Sequence, residues 1–187
     1  MPANRGVWPW LTAFFIVGIL FGVSGLSAQK SKPQEYEVKA TYLYNFARFV
    51  EWPLSSAAAK SNSFAICVLG QDPFGPALDA IVAGESIDGK AVLAKRVSKP
   101  QDAVSCRVLY ISSSEDSRLK EILAALDKSG VLTVCDIPQF SQRGGMIEFT
   151  LQGNNVRFEV NLTIAENTGL TLSSELLKVA VTVRRHP

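Results

Sequence analysis

Histidine is almost missing from this chain of 187 residues: the single one is His186, next to the last position. Zinc sites and proton-transfer sites draw on histidine more than on any other side chain, so its scarcity removes their commonest arrangements. The sequence also has no G-x-S-x-G, no H-E-x-x-H and no C-x-x-C, which excludes the serine-hydrolase elbow, the zinc-protease helix and the thioredoxin-type redox pair. Charge is in short supply as well. Nineteen Lys and Arg against 17 Asp and Glu leave a net charge of +2; the basic residues are scattered, and there is no electrostatic footprint for nucleic acid. The run Gly70 to Gly75 has the look of a phosphate-cradling turn, but it lacks the Lys-Ser/Thr of a P-loop and the third glycine of a dinucleotide fingerprint. Asp72, Glu115 and Asp136 fall where helix starts are expected, and carboxylates there act as caps. No cofactor or metal is implied, and the chain is not expected to be an enzyme.

Apolar residues, at 47%, are plentiful enough for one compact core. The amino terminus is organised differently from the rest. Arg5 precedes an uncharged stretch from Val7 to Ala28 whose centre, Trp10 to Val23, is strongly apolar; this order matches a secretory signal. Residues 1–28 are therefore expected to be a signal peptide, with Gln29 as the mature start, 29–34 as a polar lead and 35–187 as a single domain. That places the domain in the periplasm. The alternative is an uncleaved anchor in the inner membrane, since the apolar stretch is long enough to cross about 30 Å of hydrocarbon. No cysteine precedes Cys67, so a lipid-modified amino terminus is excluded.

The stretch Glu35 to Pro53 predicts an amphipathic helix. Glu37, Thr41, Asn45 and Arg48 recur four, four and three apart and form one narrow polar stripe, while Tyr36, Val38, Tyr42, Leu43, Tyr44, Phe46, Ala47, Phe49 and Val50 cover a wide arc. Trp52 before Pro53 ends it. An apolar arc this wide is either the most buried helix of the domain or a surface for a partner or a second copy of the chain.

Beyond it, Phe64 to Leu69 reads as a strand buried on both faces. Pro76 to about Ala83 reads as a helix, Lys90 to Val97 as a second strand, Ser98 to Ala103 as a turn and Arg107 to Ile111 as a third strand. Ser112 and Glu115 offer a capping box for a helix that Gly130 closes. Val131 to Val134 is a fourth buried strand, and Asp136 is placed to cap the turn that follows. Ile147, Phe149 and Leu151, then Val156, Phe158, Val160 and Leu162, alternate with polar residues on either side of Gly153-Asn154-Asn155, an antiparallel hairpin. Two helical pieces, about Leu162 to Asn167 and Ser173 to Val183, end the chain, with Arg184 and Arg185 at the negative end of the last. The expected fold is α/β: a three-layer sandwich with a mostly parallel mixed sheet, a C-terminal antiparallel hairpin and helices on both faces.

Three cysteines leave at least one unpaired within the chain. Cys67 falls inside the first strand and Cys106 at the entry to the third, strands that a parallel sheet can place side by side. The alternative is that both stay reduced as small buried residues.

The patterns Y-x-V-K-A-x-Y-L-Y-N-F-A-R-F-V-E-W-P from Tyr36, I-C-V-L-G-x-D-P-F-G at Ile66 to Gly75, V-L-Y-I-S-S-S at Val108 to Ser114, V-L-T-V-x-D at Val131 to Asp136, G-G-M-I at Gly144 to Ile147, R-F-E-V-N-L at Arg157 to Leu162 and S-S-E-L-L-K-V-A at Ser173 to Ala180 follow in order along the chain. Together they resemble the YfiR-like family of small periplasmic proteins. The resemblance implies a repressor that restrains an inner-membrane diguanylate cyclase, so the implied partner is the periplasmic domain of such a cyclase or a similar membrane signalling protein, with a homodimer as a further assembly. It implies a disulfide between Cys67 and Cys106. Cys135 departs from the family pattern, which more often has Ser there, and reads as a buried free thiol; an exposed Cys135 would be able to bridge two subunits. The further cysteine pair that some relatives carry near the hairpin is missing, so redox control through it is not expected. Arg48, Glu51 and Trp52 are the candidate rim and anchor of the partner surface, because Trp and Arg dominate binding energy at interfaces. The competing class is a periplasmic small-ligand binding protein, with Gln71, Asp72, Ser112, Ser113 and Asp136 beyond the carboxyl ends of the strands as its crevice.

Overall fold

Short runs apolar at every position require cover on both faces, and the computed structural model, which describes residues 32–185, supplies it. The export signal expected at 1–28 and His186 lie outside the described residues. The chain runs α1 (Lys32–Arg48), β1 (Val50–Glu51), β2 (Ser63–Leu69), α2 (Pro76–Val82), β3 (Ser86–Ile87), β4 (Lys90–Val97), β5 (Val108–Ile111), α3 (Leu119–Ala125), β6 (Leu132–Cys135), β7 (Ile147–Gln152), β8 (Asn155–Asn161), α4 (Leu162–Asn167), β9 (Thr171–Leu172), α5 (Ser174–Val179) and β10 (Thr182–Arg184). Three turns of 3-10 helix, at Ala57–Lys60, Pro100–Ser105 and Ser113–Arg118, fill the connections.

Eight strands form one open sheet in the order β10-β8-β7-β6-β5-β2-β4-β3, parallel throughout except at β3·β4 and β7·β8. β1 and β9 make a separate antiparallel pair. Successive residues of β2 divide between two cores, as the twofold period of a strand demands. Phe64, Ile66 and Val68 join α1, α2 and the hairpin residues Phe149 and Phe158. Ala65, Cys67 and Leu69 join Ala103, Leu119, Ile122 and Phe140 on the opposite face. The α/β sandwich is thus three-layered over β2, β5 and β6. On the second face β7 and β8 present Glu148, Thr150, Arg157, Glu159 and Asn161 instead, which explains why the hairpin alternates while the central strands do not.

Two glycine features shape the hairpin region. Gly153, at φ 58°, supplies the left-handed residue of the two-residue turn closed by Gln152 and Asn155. In the G-G-M-I run, a Cβ at Gly145 would overlap the ring of the fully buried Phe140.

Four expectations need correction. α1 stops at Arg48 rather than at Trp52, because Val50 and Glu51 pair with Leu172 and Thr171, and Ser173 N donates to Phe49 O at 2.9 Å. Ser112 and Glu115 do not form a capping box: Ser112 Oγ accepts from Ser114 N, the Glu115 carboxylate turns to Arg118, and a 3-10 turn precedes α3. Asp136 caps nothing in its own turn, since its carboxylate is held by α1. The final helix ends at Val179, and Thr182–Arg184 is a strand beside β8; the ladder with β8 wins because α5 is only six residues long and has little helical stability of its own.

Cys67 of β2 and Cys106, which leads into β5, are joined by a disulfide with Cα atoms 6.0 Å apart, a comfortable span for the bond. The pairing of Ile66 with Val108 places them side by side. Cys135, at the end of β6, is a buried free thiol that accepts from Ile137 N at 3.0 Å, and burial pushes its pKa well above the ordinary value. In urea unfolding, the doubly substituted Cys67→Ser/Cys106→Ser protein is expected to be about 2–4 kcal/mol less stable than the oxidised parent. A loss below roughly 0.5 kcal/mol would show that the cross-link is dispensable for the fold.

Candidate functional site

Beyond the carboxyl ends of β2 and β5, the Gly70–Gly75 turn and the first turns of α1 enclose a cleft of about 600 Å³. Gln71, Asp72, Ser112 and Ser113 line it together with Tyr36 and Phe74. Four of the five crevice residues read from the sequence therefore meet in one place. Their side chains are mostly engaged, however. Asp72 Oδ1 accepts from Phe74 N at 2.8 Å, and Oδ2 accepts from Arg96 Nε at 2.9 Å. Arg96 of β4 also forks onto Asp79 with two bonds of 2.7 Å and donates to Gly75 O. Ser114 Oγ accepts from Gln71 N, and Ser112 caps the 3-10 turn. Asp72 and Ser112 thus build the cleft wall, and Gln71 and Ser113 are left exposed.

The fifth residue, Asp136, sits behind that wall at the end of β6. Asp136 Oδ2 accepts from Lys39 Nζ at 2.6 Å and from Tyr36 Oη at 2.8 Å. Lys39 pairs also with Glu35, one turn back, at 2.5 Å, and lies 4.4 Å from the centre of the Tyr36 ring. The lysine side chain is only 3% exposed and that of Asp136 12%. Burial pushes the Asp136 carboxyl up, but the bond and charge of Lys39, helped by the Tyr110 and Tyr36 hydroxyls, outweigh it and hold the group below the usual carboxylate range. The Tyr110 hydroxyl lowers the Asp136 pKa without a formed hydrogen bond, and both it and Asp136 Oδ1 are buried with no partner. Burial, then the Asp136 charge, raise the pKa of both Tyr36 and Tyr110. The sequence reading missed Lys39. Its signal was a lysine on the apolar face of α1, four residues after Glu35.

Arg48, Glu51 and Trp52 line a second cleft, of about 310 Å³, at the other end of α1. Trp52 is not a free anchor: its indole Nε1 donates to Arg107 O at 3.1 Å, its ring stands edge-on to Phe64 at 5.3 Å, and the Arg107 guanidinium lies over it. Most of the surplus aromatic surface of α1 is likewise absorbed within the domain. Tyr42 and Phe46 pack on Phe149 and Phe158, with Phe46 and Phe158 centred 5.0 Å apart. The exception is an apolar groove of about 240 Å³ between α1 and α5, where Phe49 (41% exposed) and Val179 (63% exposed) flank Phe46 and Leu176. Phe49 belongs to the apolar arc that the sequence offered as a partner surface, whereas Val179 was not read as part of one.

Among the described residues no cluster of three or more His, Cys, Asp or Glu is placed to hold a metal ion, and no helix is long and apolar enough to cross a membrane. A family model described as YfiR/HmsC-like matches residues 36–181. The chain belongs to the YfiR/HmsC-like family. That family is regulatory rather than catalytic, and membership supports a periplasmic regulatory role in the general sense. No curated protein matches. Among solved structures, a conserved domain protein from Vibrio cholerae is similar with a TM-score of 0.54 at 12% identity, over 80% of this chain and 60% of that one. The chain thus spans less than two thirds of that relative, and the likeness bears on fold alone. An ABC domain in complex with L-Trp from Streptococcus pneumonia is similar at a TM-score of 0.47 and 13% identity, over 65% of this chain and 55% of the other.

The Lys39–Asp136 pair generates two expectations. Lys39→Ala strands a buried carboxylate and is expected to cost about 3–5 kcal/mol in urea unfolding, whereas Lys39→Met with Asp136→Leu is expected to lie close to the parent. Asp136 has a depressed pKa when folded, so its contribution is present above the unfolded value of about 3.9 and is lost as pH falls through the folded one. The raised tyrosines act in the opposite sense, stabilising below their unfolded value of about 10 and ceasing to do so as pH rises. Stability measured against pH should therefore fall off on the acid side below about pH 4, and Asp136→Asn should flatten that limb.

Proposed function

We propose that this YfiR/HmsC-like protein is a periplasmic regulator that binds the periplasmic part of a membrane signalling protein, in the manner of repressors of diguanylate cyclase, and that it is not itself an enzyme. The observation that carries the reading is the apolar groove between α1 and α5. A ring such as Phe49, left 41% exposed just after α1 while the neighbouring Phe46 is buried, suits the buried centre of a protein interface. Arg48 and Glu51, exposed and lining the second cleft at the same end of α1, suit the polar rim. Residues 1–28 would deliver the domain to the compartment where such a partner is exposed. A second copy of the chain is the other occupant that the groove would accept, giving a homodimer.

The small-ligand alternative rests on the cleft lined by Gln71, Asp72, Ser112 and Ser113. It has less behind it, because Asp72 and Ser112 already serve the local fold and Asp136 is turned inward to Lys39.

Phe49→Glu places a charge in the groove at an exposed position, so the melting temperature should hold within a few degrees. Expressed with its export signal, the parent protein is expected to change cellular cyclic-di-GMP and the Phe49→Glu variant to leave it at the level of cells lacking the protein. Equal potency of parent and variant would remove the groove from the mechanism. A fall in mass from dimer to monomer by light scattering, without any change in signalling, would assign the groove to self-association.

A further inference from the structure

The second face of the sheet carries a cleft that none of these assignments uses. It measures about 560 Å³ and lies between the 137–146 loop and the edge strand β10, with Ser141, Gln142, Asn161, Thr182, Arg184 and Arg185 in its lining. The strand registers explain why these residues meet. Cys135 pairs with Glu148, Glu148 with Glu159, Glu159 with Thr182, and Asn161 with Arg184. Cross-strand partners share a face, as do residues two apart along a strand, so Glu148, Glu159, Asn161, Thr182 and Arg184 project from one side. The same registers bring the cleft to the level at which β6 ends, the edge of an α/β sheet beyond which ligands bind.

The chemistry of the cleft is one-sided. Its acids are engaged: Glu148 accepts from Gln139 N, Ser141 N and Ser141 Oγ, each at 2.9 Å, and Glu159 accepts from Arg184 Nη2 at 2.9 Å with Ser141 Oγ 3.4 Å away. Asn161 Nδ2 donates to Ser141 O at 2.7 Å. What remains are two guanidinium groups, beside a hydroxyl and an amide that can donate as well as accept. Arg184 Nε is buried with no acceptor, and Arg185 is exposed and joins no ion pair among the described residues. The Thr182 hydroxyl and the Gln142 amide add neutral donors. Guanidinium groups present forked donors that match carboxylate and phosphate oxygens.

We propose that this cleft binds a small anionic ligand, a carboxylate or a phosphate monoester, with Arg184 and Arg185 as its charged donors and Thr182 and Gln142 as its neutral ones. Ser141 joins the cleft to Glu148 and Glu159, so occupancy would tighten the 137–146 loop against the hairpin. The site lies across the sheet from the Phe49 groove, whose Phe158 belongs to the first core, and it stands or falls independently of that groove.

The test is an amide NMR titration of the exported full-length protein with sodium phosphate and, separately, sodium acetate, against sodium chloride at matched ionic strength. Saturable shifts are expected at Ser141, Gln142, Asn161 and Thr182. Saturation by phosphate alone identifies a phosphate ester as the ligand class, and saturation by acetate alone a carboxylate. Arg185→Ala, which removes an exposed side chain, should retain its melting temperature and bind about tenfold more weakly. Arg184→Lys, which keeps the charge and loses the fork, should weaken binding as well. Identical shifts in chloride, or an Arg185→Ala protein that titrates like its parent, would overturn the proposal.

Discussion

A lysine ammonium and an aspartate carboxylate, drawn from positions 97 residues apart and held at 2.6 Å in a nearly dry setting, tie the first helix to the end of a central strand. Much of the rest follows from that contact. It sets the rotation of α1, so that Leu43, Phe46 and Ala47 face the sheet and the polar stripe of Glu37 and Thr41 faces water. It also brings Tyr36 against Phe74, which forms one wall of the cleft beyond β2 and β5. Burying two charges is costly unless each finds a partner and further hydrogen bonds. Here Glu35, the Tyr36 hydroxyl and the Tyr36 ring supply them, and the pair specifies one seating of the helix where apolar contacts alone would tolerate several.

The disulfide constrains a different layer. It joins β2 to the segment entering β5 on the face covered by α3 and the Pro100–Ser105 turn, away from α1. The two devices divide the sandwich between them, one covalent under the second face and one ionic over the first. The hairpin and β10 lie beyond both. Their second face is polar, and loop 137–146 is held over part of it by the buried Glu148, which gathers two backbone amides and a hydroxyl. A region fastened by a handful of polar contacts is a natural place for a fold to respond to a ligand.

The division of surfaces fits a regulator of the YfiR/HmsC-like family. The apolar groove lies over the first face at the C-terminal end of α1, and the arginine cleft lies on the second face beside an edge strand.

Much of this was legible in the chain before any coordinates. Uninterrupted apolar runs marked β2, β5 and β6 as doubly buried, and alternation marked β7 and β8 as half-buried, because strand periodicity is a local property that burial writes directly into residue order. The family patterns pointed to the same fold and to the Cys67–Cys106 bond. What residue order did not contain was the set of pairings between distant segments. The ladder between Val50–Glu51 and Thr171–Leu172 cut α1 short, the ladder with β8 turned Thr182–Arg184 into a strand, and Lys39 met Asp136 from 97 residues away. Each is a long-range contact whose free energy exceeds a local preference worth only a few tenths of a kcal/mol per residue. The type of most elements was therefore fixed by local chemistry. Which charged groups would be buried together, and which aromatic ring would be left at the surface, were decided only when the chain closed on itself.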